Sequence, residues 1–588
     1  MFALRPTSIL LLAILTLAPV STPDAAAQGM PPSARDTLEE EAAAVTPLQE
    51  HVESTGNPSP DFGWISVLPP LIAIVIALIF KQVIPALFLG IWFGGWVVHG
   101  YSPEGLFKSL LDSFQLYVLG AVADPDHAAI ILFSLMIGGM VGIITRNGGM
   151  NGVVNRIAQW ATTAWKGQAT TGVLGLAVFF DDYANTLVVG NTMRPVTDRL
   201  RISREKLAYI VDSTAAPVAC LALVTTWIGY EVGLIGDAVA KIEGLTASPY
   251  EVFLQSIPFS FYPILAIFFV FAVALSRRDF GPMLKAEVRA RTTGQVLGPD
   301  ASIDSEAVDG EHTRPLEGKP QRAINAALPV LVLVVGVLVG LYETGTGDNI
   351  REIIGTADSY KALMWASLLG VVSAYVLSIS QRILTVAQTM EAWYSGLKSM
   401  LFAMIILVLA WALSHLTEVL GTANYLVGVL GDRIPPGILP AIVFLISAAT
   451  AFATGSSWGT MGILMPLVVP LIWAVLVAGD MADPGHYHIL YSTVSCVLAG
   501  SVWGDHCSPI SDTTILSSMA SGCDHIEHVR TQLPYALVVG VVTVAVGTIP
   551  TGFGFPWWGS MIGGAAVLFV GLRLYGKDAD LPSEVLSK

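Results

Sequence analysis

Charged residues are scarce in this chain. Only 13% of its 588 residues are Asp, Glu, Lys or Arg, whereas an ordinary soluble domain carries roughly 25%. Apolar residues make up 53%, so the surface cannot be covered with the charge that water contact requires. The composition therefore excludes a cytosolic enzyme and a disordered protein, and it predicts a multi-pass membrane protein whose main partner is lipid. A net charge of −15 also argues against a nucleic-acid partner.

Cysteine and several enzyme motifs are also rare or absent. The four cysteines include no Cys-x-x-Cys spacing, which argues against a disulfide framework or a zinc site. The chain has no Gly-rich ATP loop ending in Gly-Lys-Ser/Thr and no His-Glu-x-x-His. A primary pump is therefore unsupported, and we expect no enzyme activity, no cofactor and no resident metal.

The N-terminus has the pattern of a targeting segment. Arg5 precedes an apolar run, and three alanines ending at Ala27 follow it, which predicts a cleaved signal peptide over residues 1–27. Residues 28–63 are rich in acids and prolines, so we expect a solvated tail outside the membrane.

Eleven further apolar runs are long enough to cross a bilayer. They lie near 64–80, 83–98, 128–145, 207–236, 257–276, 323–342, 361–380, 399–415, 486–503, 533–550 and 559–575. Bases concentrate in alternate loops, and the positive-inside rule then predicts external loops at 99–127, 237–256, 343–360 and 467–485. We expect the inner membrane of a bacterium, with the N-terminal tail extracytoplasmic and the C-terminus cytoplasmic.

Two more apolar stretches, 168–193 and 438–466, are interrupted by polar residues. The first lies between the base-rich segments 146–167 and 194–206, so both of its ends should face the cytoplasm. It is too short to cross twice, because one helical crossing needs about 20 residues. We therefore expect a re-entrant hairpin there, and a mirror-image hairpin at 438–466.

The order of spans and hairpins predicts an all-α inverted repeat. Residues 64–276 form the first repeat, 277–322 a flexible cytoplasmic linker, 323–550 the second repeat with opposite orientation, and 551–588 an extra terminal helix and tail. Inverted repeats with broken helices are typical of secondary transporters, whose sites lie near the midplane.

Polar residues cluster where the helices of the first repeat break. Asp181, Asp182 and Asn185 form the tip of the first hairpin, and two adjacent carboxylates in an apolar setting favour cation binding or protonation. The alternative is a solvated loop tip. Asp212 and Ser213 precede a proline in the span 207–236, where freed carbonyls and hydroxyls could bind sodium. A simple proline kink is the alternative.

The second repeat carries two matching clusters. Thr454, Ser456 and Ser457 interrupt the second hairpin, where irregular backbone indicates a cavity unless it is a tight helix contact. Asp505 and Asp512 follow the next span and could ligate a cation or carry protons. His506 is a candidate proton carrier or pH sensor, although a structural role is the commoner one. His525 and His528 should belong to a solvated amphipathic helix.

These clusters resemble the NhaC-type sodium/proton antiporters of the ion transporter superfamily. The resemblance rests on Thr454-Gly-Ser-Ser-Trp-Gly-Thr460 with Pro466 and on Gly504-Asp-His-Cys-Ser-Pro-Ile-Ser-Asp-Thr513, and the motifs at Asp181 and Asp212 match as the N-terminal half. It implies exchange of cytoplasmic sodium for protons over a core spanning roughly 64–575. The signal peptide, acidic tail and linker depart from the usual core.

The sequence thus predicts a secondary transporter in which Na⁺ (or Li⁺) and H⁺ compete for one carboxylate-rich site. The alternative is a sodium- or proton-coupled carrier of a small organic anion or amino acid, since the family includes such carriers. An aspartyl-type membrane enzyme and a channel are disfavoured, and a homodimer is compatible with the sequence.

Overall fold

The computed structural model describes residues 62–80, 82–242, 247–298, 315–347, 356–422 and 435–579, with 245, 353 and 425. The predicted signal peptide, nearly all of the acidic tail, the middle of the linker and the last nine residues lie outside the described residues. The predictions for those segments therefore stay predictions.

The first half of the chain is built from helices joined by short turns. A short 3₁₀ turn, Gly63–Val67, precedes them, and a π-helical turn, Ser113–Val118, joins two of them. The helices are Leu68–Phe80, Val83–Val98, Pro103–Asp112, Leu119–Ala123, Pro125–Arg146, Gly149–Ile157, Ala164–Ala177, Asp182–Arg199, Arg204–Asp212, Ala216–Ala219, Ile228–Ala240, Pro249–Ser256 and Phe261–Ser276.

The second half has the same character. Its helices are Gly281–Thr293, Ile324–Thr344, Ser359–Ser380, Val386–Val419, Leu439–Thr454, Ser457–Ala478, Tyr487–Cys507, Asp512–Ser521, His525–Val542, Ile549–Gly552 and Trp557–Tyr575. A second π-helical turn, Thr543–Thr548, continues the helix that begins at His525. The described residues contain a single two-stranded sheet, in which Arg278–Asp279 pairs antiparallel with Lys577–Asp578.

Nine helices within the described ranges are long and apolar enough to cross a membrane, or ten if the bent pair Pro249–Phe259 and Phe261–Ser276 counts as one span. This confirms the all-α, multi-pass architecture. The predicted count of eleven spans and the inverted repeat stay predictions.

The sequence analysis did not predict one of the helices. It predicts a loop over residues 99–127, but Pro103–Ala123 is helical and is long and apolar enough to span a membrane. Its charged residues lie in the first half of the helix, where Lys108 pairs with Glu104 at 2.7 Å. Tyr117 lies 6.1 Å from the His415 ring, and His127 stacks on Trp411 at 3.6 Å. His415 and Trp411 both lie in the second half of Val386–Val419. Tyr117 therefore places the helix against that half.

Two predicted apolar stretches have different shapes in the structure. The expected span 207–236 is broken twice, between Asp212 and Ala216 and again between Ala219 and Ile228. The second half of the second hairpin runs as helix Ser457–Ala478, so much of the predicted loop 467–485 is helical. Pro466 and Pro470 both lie inside this helix, and neither ends it.

The helix breaks define two hairpins and two broken spans. The first hairpin is Ala164–Ala177 with Asp182–Arg199, and the first broken span runs from Arg204 to Ala240. The second hairpin is Leu439–Thr454 with Ser457–Ala478, and the second broken span is Tyr487–Cys507 with Asp512–Ser521.

Part of the predicted linker lies within the described residues and has regular structure. Residues 278–293 form a strand and a helix that pack on the first broken span. Glu287 is fully buried and accepts from the Ser203 backbone N at 2.7 Å and from Gln168 Nε2 at 3.0 Å. Lys206 forms a buried ion pair with Asp279. These partners lie far away in sequence, so a count of charges in the linker could not reveal them.

Glycine permits a close contact between two helices of the bundle. A Cβ on Gly396 would lie 2.1 Å from the Gly138 carbonyl oxygen, which is a backbone atom and cannot move aside. Gly396→Ala should therefore lower stability by about 1–3 kcal/mol through overpacking. Thermal unfolding of the detergent-purified protein measures this. Gly571→Ala is the matched control, because nothing lies within 4 Å of that Cβ, and an unchanged Gly396→Ala midpoint would contradict the packing.

Candidate functional site

The tip of the first hairpin places two carboxylates inside the protein. Asp181 caps the helix Asp182–Arg199, and its Oδ1 accepts from the Ala184 backbone N at 2.6 Å. Asp181 is 6% exposed and Asp182 1% exposed, so the solvated-tip alternative is excluded. Both Asp182 oxygens are buried, and among the described residues no charged group pairs with them. Such an arrangement is costly unless a proton or a cation accompanies the carboxylate.

Asn185 joins the first hairpin to the first broken span. Its Nδ2 donates to the Gly175 carbonyl at 2.8 Å and to the Thr214 carbonyl at 2.9 Å. The Thr214 carbonyl can accept this bond because the helix Arg204–Asp212 ends before it. The Asn185 Oδ1 is buried and unpartnered, and it is a hard oxygen ligand of the kind that alkali cations prefer.

The second break of the first broken span faces the same hairpin tip. The Thr226 backbone N donates to the Phe180 carbonyl at 2.9 Å. The Thr226 hydroxyl lies beside Asp181 and the Trp227 indole beside Asp182. The carboxylate pair is therefore enclosed by a turn that the sequence predicted as regular helix.

The second broken span supplies two more carboxylates around its own break. Asp505 is fully buried; its Oδ2 accepts from Thr513 Oγ1 at 2.5 Å, and its Oδ1 has no partner. Asp512 begins the helix Asp512–Ser521 and is half-buried. Its Oδ1 accepts from the Thr513 backbone N at 2.9 Å. Its Oδ2 accepts from the Tyr183 hydroxyl at 2.5 Å, which ties this break to the first hairpin.

Asp212 is fully buried and has partners on two other helices. Its Oδ2 accepts from Gln532 Nε2 at 2.5 Å and from Thr514 Oγ1 at 3.4 Å. The same oxygen lies 3.5 Å from His528 Nε2. Because these partners come from two other helices, Asp212 links the first broken span to the end of the second repeat.

His506 lies next to Asp212 but is held on both sides. Its Nε2 lies 3.1 Å from the Asp212 carbonyl oxygen and its Nδ1 lies 3.1 Å from the Tyr262 hydroxyl. A carbonyl oxygen only accepts, so Nε2 carries a proton in this arrangement. The ring is 2% exposed. The proposed role of His506 in proton transfer stays a prediction.

The predicted carboxylates converge into one group. Asp182 interacts electrostatically with Asp181 and Asp512, and Asp505 interacts with Asp512 and Asp212. We call Asp181, Asp182, Asp212, Asp505 and Asp512 the carboxylate cluster. The described residues near it include no Lys or Arg that pairs with these groups, so only protons, cations and the histidines can balance their charge.

The predicted hydroxyl ligands lie at the edge of this group. Thr454 Oγ1 donates to the Thr450 carbonyl at 2.8 Å, and Ser456 Oγ caps the Gly459 N at 3.1 Å. Ser213 lies beside Tyr209. Among the described residues no hydrogen bond joins Thr454, Ser456, Ser457 or Ser213 to a carboxylate. The second hairpin reaches the cluster through Trp458, whose ring lies 5.1 Å from Trp227.

Several residues of the site were not found from the sequence. His528, expected on a solvated helix, is fully buried against Asp212, so that expectation is wrong. The helix His525–Val542 is polar only at its start, and it packs against Arg204–Asp212 and Tyr487–Cys507. Tyr183, Thr226, Trp227 and Gln532 were missed because each looks like an ordinary core or helix residue.

Tyr183 offers a clean test of the contact between the first hairpin and the second broken span. Tyr183→Phe removes the hydroxyl that donates to Asp512 while keeping the ring. One hydrogen bond to a charged group contributes about 1.5–3 kcal/mol, so we expect the free energy of unfolding to fall by about that amount. Thermal unfolding of the detergent-purified protein measures this. Tyr342→Phe, on an exposed tyrosine, is the control, and an unchanged midpoint in Tyr183→Phe would contradict the contact.

Apolar helices long enough to span the bilayer, together with buried carboxylates at helix breaks, define a multi-pass membrane protein of the transporter class. The chain belongs to the Na⁺/H⁺ antiporter family, whose model matches residues 218–553. That match includes Asp505 and Asp512, whereas Asp181, Asp182 and Asp212 precede it.

Relatives are found over most of the chain and over parts of it. A protein of Haemophilus influenzae described only as uncharacterized is 33% identical over 500 residues, which cover 83% of this chain and 91% of that protein. The arginine/ornithine antiporter ArcD of Halobacterium salinarum is 33% identical over 20% of this chain and 21% of its own length. The malate-2H⁺/Na⁺-lactate antiporter of Bacillus subtilis is 29% identical over 28% and 33%, respectively.

A solved structure, the Alcanivorax borkumensis YdaH transporter, aligns with 78% of this chain and 90% of its own at 13% identity and a TM-score of 0.45.

Proposed function

We propose that the protein exchanges Na⁺ or Li⁺ for H⁺ by alternating access, with the carboxylate cluster as the shared site. The observation that carries this proposal is the convergence of five acidic side chains from separate helix breaks. So many carboxylates cannot all be ionised in a low-dielectric interior without bound cations. Protons and cations would therefore replace one another at this place.

The available ligand atoms suit a small hard cation. Within the described residues, several buried side-chain oxygens accept no hydrogen bond from an oxygen or nitrogen at normal geometry. They are both carboxyl oxygens of Asp182 and one oxygen each of Asn185, Asp212 and Asp505. Carboxylate and amide oxygens are the ligands that such cations prefer. Proton binding to the cluster would release the cation, and rocking of one repeat against the other would change the face to which it opens.

The NhaC type and the orientation are part of the proposal. The base-rich segments meet at one end of the bundle, where Asn147 Nδ2 donates to Ser378 Oγ at 2.9 Å and Lys319 donates to the Arg382 carbonyl at 3.0 Å. By the positive-inside rule this end would be cytoplasmic. The opposite end, near Lys241 and Glu418, would then face the outside of a bacterial inner membrane.

A second candidate is a sodium- or proton-coupled carrier of a small organic anion or amino acid. It is favoured by two partial relatives named as antiporters of arginine/ornithine and of malate and lactate. The amide of Asn185 and the hydroxyls of Ser456 and Ser457, near helix N-termini, could hold a carboxylate. The five carboxyl groups of the cluster argue against an anionic substrate, whereas arginine and ornithine have cationic side chains.

Purified protein in proteoliposomes with an imposed proton gradient separates these candidates. We expect Na⁺ or Li⁺ to dissipate the gradient without any organic solute. A proton flux that needs an organic anion or amino acid, with no response to the cations alone, would favour the second candidate and contradict the first.

A further inference from the structure

Glu231 is buried inside the first broken span without a charged partner among the described residues. It is 0% exposed, and the group beside its carboxyl oxygens is the Cys220 thiol. The side chain lies in Ile228–Ala240, a helix whose residues are buried from Ile228 to Gly236. A buried, unpaired carboxylate costs several kcal/mol, so a purely structural role would be filled better by an apolar side chain.

Its position relates it to the carboxylate cluster. The Glu231 backbone N donates to the Trp227 carbonyl at 2.9 Å. Residues four apart lie on the same helix face, about 6 Å apart along the axis. Trp227 is the residue whose indole lies beside Asp182. Trp227, just before this helix, contacts the Asp181–Asp182 pair, and Glu231 is the first carboxyl group that follows it along the helix.

The surroundings of Glu231 suit a proton better than a cation. Within the described residues its titratable neighbour is the Cys220 thiol, a weak donor and a poor ligand for alkali ions. A sodium ion needs several oxygen ligands, and the nearby Tyr230 hydroxyl is already committed to the Trp458 carbonyl at 2.5 Å. One carboxyl group alone can still bind one proton.

Charged groups lie further along the same helix and on its neighbour. Lys241 lies 3.4 Å from Asp237 and 3.8 Å from Glu418 and contacts Ser414, and His415 adjoins this group. These residues mark the end of the bundle opposite to the base-rich loops. Glu231 thus lies between that end and the cluster.

We propose that Glu231 is a proton-binding residue of the transport cycle, on the route between the Lys241 end and the carboxylate cluster. A proton bound to its carboxyl oxygen leaves that oxygen and joins a carboxylate oxygen of the Asp181–Asp182 pair as the cation departs. Glu231 is then a carboxylate until it takes another proton from the Lys241 side. This inference rests on the proposed exchange function and extends it to a group outside the cation site.

The test separates proton movement from cation movement. In proteoliposomes Glu231→Gln should slow Na⁺-driven proton flux roughly 100-fold, the range for loss of a proton-transfer group. Exchange of labelled Na⁺ for unlabelled Na⁺, which needs no proton, should stay within about twofold of the original rate because Glu231 is not a cation ligand in this account. Glu231→Asp should recover part of the proton flux, and Glu343→Gln, an exposed position, is the control.

Two results would overturn the inference: unchanged proton flux in Glu231→Gln, or an equal loss of both fluxes in Glu231→Gln that Glu231→Asp does not relieve. An independent readout is infrared spectroscopy of the purified protein during a pH change. A carboxyl band that titrates in the original protein and vanishes in Glu231→Gln is expected, and its persistence would count against proton binding. If the original protein exchanged no cation for protons, the proposed function would fail, while the infrared result would still report on Glu231.

Discussion

Asp505→Asn should abolish cation–proton exchange and leave the protein folded and inserted. Asp505 is fully buried, with one carboxyl oxygen on Thr513 and the other unpartnered. Asparagine keeps the shape and the acceptor for Thr513 but removes the negative charge and the protonatable oxygen on which the proposed exchange depends. Loss of a buried charge partner costs about 2–5 kcal/mol, so cation affinity should fall about 30-fold or more.

The measurement is Na⁺-dependent proton flux in proteoliposomes, with size-exclusion chromatography to check folding. Asp483→Asn is the matched control, since Asp483 lies in an exposed turn where it bonds to Gly485 and His486. Normal exchange by Asp505→Asn would place the site elsewhere in the molecule.

The second large effect concerns stability. Asp279→Ala should destabilise the protein by about 3–5 kcal/mol, because it leaves the Lys206 ammonium group buried without its counter-charge. Lys206 is 0% exposed, and Asp279 also accepts from the Tyr535 hydroxyl at 2.6 Å. This ion pair joins the strand Arg278–Asp279 of the predicted linker to the first broken span. Thermal unfolding in detergent measures the loss.

A double variant gives this prediction a rescue test. Replacing both partners by apolar residues, Lys206→Met with Asp279→Leu, removes the unpaired charge and should recover most of the lost stability. A double variant as unstable as Asp279→Ala would indicate that packing at this position, and not the uncompensated charge, is what matters.

The membrane architecture was predictable from the sequence because long apolar runs have one stable solution in a bilayer. The bounds were less predictable. Composition does not reveal that the run from 207 to 236 breaks twice, since the residues of the second break, Thr225 to Trp227, are compatible with a helix. The breaks depend on tertiary partners, such as the Phe180 carbonyl that accepts from Thr226.

The candidate site was predictable for its acidic members and not for its neutral ones. Asp181, Asp182, Asp212, Asp505 and Asp512 are conspicuous because carboxylates are rare in apolar segments. Their mutual contacts are a property of the fold, as the Tyr183–Asp512 hydrogen bond between distant segments illustrates. Which of these groups carries the cation and which carries the proton stays a prediction.

Buried acids and bases elsewhere had weaker signals. Glu231 is as unusual in an apolar run as Asp212, and the same rule would have singled it out. His528 follows Asp524 and Glu527 and precedes Arg530, so its neighbours in sequence suggest water contact. In the structure the ring is enclosed beside Asp212, and only the packing of the helices reveals this.

Proton release on sodium binding tests the central claim that one carboxylate cluster serves both ions. Purified protein in a weakly buffered, mildly alkaline detergent solution is titrated with NaCl while an indicator dye reports pH, with choline chloride as the control salt. We predict that protons are released with the same concentration dependence as Na⁺ binding, and that Asp505→Asn shows neither. Sodium binding without proton release, or proton release that persists in Asp505→Asn, would contradict a shared site.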